Sequence, residues 1–237
     1  MTFDPAEDFN PAWSPDGTWV AFSSNRKGHK DLYRKRADGS GAEEELLASN
    51  IDKNVEDWSP DGHALLFNTF EAGGRGDLFL LPLDGDRRPR DFLKSPANEQ
   101  QATISPNGRW IAYSSNETGT QQIYVQPSPL SGAPAGKWQV STGPGGEPRW
   151  RRDGRELYYR NRAAIMAVPA KTDGPTFESG APTKLFDAPR GRSLRNTYDV
   201  TADGQRFILE VFETSNEIEP PVVLANWTGL IKREGEK

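Results

Sequence analysis

One short pattern returns along this chain at an almost fixed interval, and that periodicity limits the fold more than any other feature. The segments are PAWSPDGTWVAF from Pro11, EDWSPDGHALLF from Glu56, ATISPNGRWIAY from Ala102, PRWRRDGRELYY from Pro148 and YDVTADGQRFIL from Tyr198. Their turn residues are Asp16, Asp61, Asn107, Asp153 and Asp203, at intervals of 45, 46, 46 and 50 residues. A period in the forties belongs to propeller blades and also to helical solenoids. The residue pattern separates the two. Val20, Leu65, Ile111, Leu157 and Phe207 stand three places after the turn glycine, and Phe22, Phe67, Tyr113, Tyr159 and Leu209 stand two further on. Apolar positions two apart mark a strand. The residues between them, Ala21, Leu66, Ala112, Tyr158 and Ile208, are apolar too. Both faces of this strand are therefore expected to be buried, as stacked blades require.

Each repeat continues with a polar loop, a further strand, a turn and a short outer strand, such as DLYRKR then ELLAS, or DLFLLPL then DFLKS. The expected architecture is all-β: a β-propeller of five four-stranded antiparallel blades, forming a closed ring or part of a longer one. The whole chain is one domain, with blades at about 9–50, 54–97, 100–142, 146–190 and 195–232. In the last blade, strands are expected at Asn196–Val200, Gln205–Val211 and Pro221–Trp227, and its outer strand has no clear counterpart. Residues 1–8 are assigned to complete it. An open ring would expose apolar blade faces and favour association.

Composition agrees. With 23 Gly and 19 Pro, the chain is too heavily punctuated for long helices. It has no Cys and two His, which removes disulfides, thiol nucleophiles, thiolate metal sites and His-rich centres. Mean hydropathy is −0.77, and no apolar run approaches a membrane span. The acidic start MTFDPAEDF lacks an apolar stretch, so no signal peptide is expected. A net charge of −5 gives no electrostatic reason to expect nucleic acid.

The block W-S-P-D-G-x-x-[VIL]-A-[FY], a loop and then D-[LI]-Y resembles the TolB-type, WD40-like propeller repeat, from about Phe9 to Trp227. Repeat 4 departs from it with Arg151 and Arg152, and repeat 5 with VTADG. The tail KTDGPTFESGAPTKLFD, DGQRFILE and VVLANWTGLIK is similar to propellers behind bacterial Ser/Thr kinase or winged-helix regulator domains. No kinase loop or winged helix is present here. Related propellers precede prolyl-oligopeptidase-type hydrolases, but the G-x-S-x-G nucleophile elbow is absent. The resemblance implies a periplasmic or extracytoplasmic binding role and no enzyme activity.

In this arrangement the innermost strands line a channel. Asn10, Asn54, Glu56, Gln101, Glu147, Arg195 and Asn196 are the candidate ligand- or partner-binding residues at its mouth. The partner is expected to be a protein, a peptide or a small ligand. No catalytic residue, metal or cofactor is assigned. Asp16, Asp61, Asn107, Asp153 and Asp203 are read as structural turn residues. The alternative function is a carboxylate-based glycoside hydrolase or lyase in the channel.

Overall fold

The computed structural model describes residues 4–71, 73–189 and 197–210, together with the backbone of Val222–Ala225. No helix occurs among them, and the strands form five antiparallel sheets. The first is β1 (Asp8–Trp13), β2 (Trp19–Ser24), β3 (Asp31–Arg36) and β4 (Glu44–Leu47). The second is β5 (Asp52–Trp58), β6 (Ala64–Phe70), β7 (Leu78–Pro82) and β8 (Arg90–Leu93). The third is β9 (Glu99–Ile104), β10 (Trp110–Ser115), β11 (Gln122–Pro127) and β12 (Trp138–Gln139). In the fourth, β13 (Gly146–Trp150), β14 (Glu156–Asn161) and β15 (Ala164–Lys171) lead to two partners of β15, namely β16 (Glu178–Ser179) and β17 (Thr183–Asp187). The fifth has three strands among the described residues: β18 (Tyr198–Val200), β19 (Arg206–Leu209) and β20 (Val222–Ala225). This is an all-β propeller, each blade an up-and-down meander.

The repeated turn closes the hairpin between the first two strands of every blade. Gly17 takes φ +71°, a left-handed backbone that suits glycine. Asp16 accepts bonds from the Ser14 hydroxyl at 2.6 Å and the Thr18 N–H at 3.0 Å. Those bonds, the Ser14 hydroxyl first, push its carboxyl down to about 2. Ser59–Asp61, Ser105–Asn107 and Thr201–Asp203 repeat the contact. In blade 4, where Arg151 replaces the serine, its guanidinium bonds Asp153 instead.

Successive blades bury one another. The second strand alternates: Leu65 packs toward blade 1 and Leu66 toward blade 3. Four apolar clusters result, one at each junction between consecutive blades. Ala21, Leu66, Ala112 and Tyr158 are all fully buried by the following blade. Their counterpart Ile208 is 44% exposed. On the opposite face, Trp58 is 5% exposed, whereas its counterpart Trp13 is 63% exposed. Among the described residues, the stack therefore has two less covered faces, on blades 1 and 5. The blade 1 face shields part of itself. Arg26 lies over Phe22 and Tyr33 and pairs with Asp8 and Glu43. Of residues 1–8, Asp8 opens β1, opposite Ser24, and Glu7 exchanges bonds with Asn25. Residues 1–3 lie outside the described residues.

Burial at one register position and exposure at its equivalent predict unequal mutational costs. Trp58→Ala should destabilise by about 3–5 kcal/mol, and Trp13→Ala by less than about 1 kcal/mol. Urea denaturation followed by circular dichroism measures both, and equal costs would contradict the packing described.

Candidate functional site: the central cavity

The innermost strands converge on a cavity of about 660 Å³. Every blade contributes to its wall: Asn10 and Trp13, then Glu56 and Asp57, Thr103, Arg149, and finally Asp199, Ile208 and Glu210. Four of these carry carboxylates and one a guanidinium, which makes the wall acidic on balance.

A β-bulge in the inner strand of blades 1–4 decides which side chains reach the cavity. Pairing with the second strand shifts register between Phe9 and Ala12, Val55 and Asp57, Gln100 and Thr103, and Gly146 and Arg149. Asn10, Gln101 and Glu147 sit there with φ of 49°, 54° and 54°. Val55, at the equivalent place, is β-branched and avoids the left-handed region, and Glu56 occupies the bulge instead.

The bulge turns side chains sideways, onto the backbone of the next blade. Glu56 accepts the Gln101 and Ala102 N–H groups at 3.1 and 3.3 Å. Gln101 Oε1 accepts the Glu147 N–H at 3.1 Å. Glu147 accepts the Thr197 N–H at 2.6 Å and its hydroxyl at 2.9 Å. These bonds span 45, 46 and 50 residues, one repeat each. Asp57 adds a second link, accepting the Thr103 hydroxyl and the Ile104 N–H, both at 2.8 Å. Burial pushes its carboxyl up, against those bonds and nearby Arg149.

Of the residues expected at the channel mouth, Asn10 and Glu56 line the cavity. Glu147 is buried, with its carboxylate bonded to Thr197. Gln101 is half-buried and bonds blade 4. Asn54 is buried and donates to Asn68 at 3.1 Å. Arg195 and Asn196 lie outside the described residues. The cavity instead receives Asp57, Thr103, Arg149 and Asp199, which all stand four places before the turn residue. A column carrying two aspartates, an arginine and a threonine among strand residues was the available signal. Without the bulge, strict alternation gives no reason to choose it. Arg149 stands 3.9 Å from Asp199 and over the Tyr198 ring. His29 and His63 each pair with a surface aspartate, Asp52 and Asp84. Among the described residues, no three His, Cys, Asp or Glu side chains gather as a metal cluster.

The sideways bonds predict a specific loss. Glu147→Ala leaves the buried Thr197 N–H without its acceptor and should cost about 1–3 kcal/mol, whereas Glu147→Gln should recover most of it. Chemical denaturation of both variants measures this, and equal loss in the two would contradict the bond's importance.

No protein-family model matches the chain. An uncharacterized protein of Agrobacterium fabrum is 34% identical over 92 residues, covering 37% of this chain and 28% of that protein. Among solved structures, a TolB-type protein of Agrobacterium tumefaciens superposes with a TM-score of 0.58 at 19% identity, over 72% of this chain and 63% of that one. TolB of Acinetobacter baumannii gives 0.67 at 17% identity, over 88% and 50%. Propeller enzymes share the likeness: an oligogalacturonate lyase of Vibrio parahaemolyticus gives 0.54 at 10% identity, over 94% and 77%. The chain thus spans less than two thirds of the curated relative and of both TolB-type structures. Its five sheets and these superpositions show a β-propeller fold similar to that of the TolB structures.

Proposed function

We propose that this propeller is a non-catalytic binding and scaffold unit that receives a segment of a protein or peptide partner at the central cavity. The observation that carries this reading is the cavity wall itself, to which all five blades contribute. It sets two exposed apolar side chains, Trp13 and Ile208, beside carboxylates that include the largely exposed Asp199. Apolar anchors within an acidic rim suit a segment with aliphatic or aromatic residues flanked by Lys or Arg. The TolB-like fold supports a binding role, possessed within a larger bacterial protein in an extracytoplasmic compartment. No helix of the described residues is long and apolar enough to cross a membrane.

The lyase or glycoside hydrolase reading has less behind it. Glu56 and Asp57, the two cavity-lining carboxylates of β5, bond backbone N–H groups of blade 3. An acid–base pair needs oxygens turned toward a substrate.

The test uses an array of immobilised peptides. Wild type should retain peptides combining Lys or Arg with a large apolar residue. Trp13→Ser and Asp199→Asn should each weaken retention by about tenfold, equivalent to ~1.4 kcal/mol. Retention unchanged in both variants would place the binding face elsewhere.

A further inference from the structure

The junction between blades 1 and 2 contains a buried ion pair. Asp31, just before Leu32, meets Lys53 of β5 at 2.8 Å, with both side chains almost wholly buried. The Lys53 ammonium also donates to the Ile51 carbonyl at 2.7 Å, and Asp31 accepts the Ser49 N–H at 3.0 Å. Charge and hydrogen-bonding capacity are both met.

The next junction repeats this arrangement with one change. Asp77 precedes Leu78 as Asp31 precedes Leu32. Glu99 stands eight residues before Asn107, as Lys53 stands eight before Asp61. The local turn is also kept. Ser49 Oγ accepts the Ile51 N–H, and Ser95 Oγ accepts the Ala97 N–H, which sets Ala97 in the place of Ile51. A glutamate therefore replaces the lysine, and two carboxyl groups share the junction. Glu99 is fully buried and Asp77 is 7% exposed. Ser95 and Ser115 donate to Glu99 Oε1, at 2.5 and 3.4 Å. Glu99 Oε2 and Asp77 Oδ1 are buried without a hydrogen-bond partner. The nearby ammonium, Lys137, is partly exposed and pairs with Glu117. At the third junction the equivalent residues are Gln122 and Gly145, so no charge arises there.

We propose that Asp77 and Glu99 bind a divalent cation, of the hard, oxygen-preferring class of Ca²⁺, where the first junction places the Lys53 ammonium. The ligands are Asp77 Oδ1, Glu99 Oε2 and, by analogy with Ile51, the Ala97 carbonyl. Glutamate is shorter than lysine, and the two oxygens it leaves unpartnered in the junction, Glu99 Oε2 and Asp77 Oδ1, are the ones an ion would satisfy. Two negative charges call for a charge of two, and buried carboxylates without a counter-charge are costly. Oxygen-only ligands favour Ca²⁺ or Mg²⁺ over softer metals. The ion would tie blade 3 to blade 2 as Lys53 ties blade 2 to blade 1.

The experiment is thermal unfolding of the full chain after EDTA treatment, with CaCl₂ or MgCl₂ added at pH 7.5. Saturating Ca²⁺ should raise the wild-type midpoint by about 5 °C. Glu99→Gln, which removes one charge and keeps the shape, should abolish the shift. Glu99→Lys, which restores the pattern of the first junction, should unfold at a midpoint independent of the ion. If Glu99→Lys does not fold, Asp77→Asn takes its place and should also lose the response. A wild type indifferent to both ions would overturn the proposal. So would a wild type whose midpoint rises only on acidification. That result would mean one shared proton, since burial raises the Glu99 carboxyl and its stabilising proton is lost as pH rises. An equal Ca²⁺ shift in wild type and Glu99→Gln would overturn it as well, by placing the ion elsewhere.

Discussion

Everything in this molecule depends on apolar contact between one blade and the next. A four-stranded sheet of this size has two faces and cannot bury either by itself. Its second strand carries apolar residues on both sides, and each side needs a neighbouring blade. Leu65 and Leu66 show the principle within two residues, since each belongs to a different cluster. The same dependence explains the ends of the stack. Trp13 and Ile208 are ordinary members of the repeat, exposed because no blade among the described residues covers them.

Polar bonds give that apolar stack its register. The bulge in the inner strand aims Glu56, Gln101 and Glu147 at N–H groups one repeat away. Each bond joins the bulge of one blade to the inner strand of the next, so a slip between blades would break it and leave donors unpaired. The same geometry shapes the cavity. Once the bulge residues have turned sideways, the column four places before the turn lines the interior, with Asp57, Thr103, Arg149 and Asp199. Binding chemistry and blade-to-blade bonding thus occupy neighbouring positions on one strand.

The repeat made most of the fold legible. Its period, its Asp-Gly turns and its two-residue apolar spacing led to strands such as DLYRKR, observed at Asp31–Arg36. The site was less legible, for a physical reason. Alternation assigns faces only while the strand is regular, and one inserted residue reverses the assignment. Glu147 and Asn54 are polar residues on inner strands, yet both turn into buried bonds. Trp13 is the repeat counterpart of the buried Trp58, and only its position at the end of the stack makes it a surface. The exchange of Lys53 for Glu99 was visible in the alignment of repeats. Its meaning required knowing that Asp31 and Lys53 touch.

Among the described residues, the blades form a stack with two ends, held at four apolar junctions. Native-state hydrogen exchange resolved by residue tests it most directly. Amides of β6, β10 and β14, each between two neighbouring blades, should exchange only through global opening, while those of β2 and β19 should open locally and exchange faster. Equal protection in β2, β10 and β19 would contradict the account, because it would mean that the two end faces are covered as fully as the internal ones.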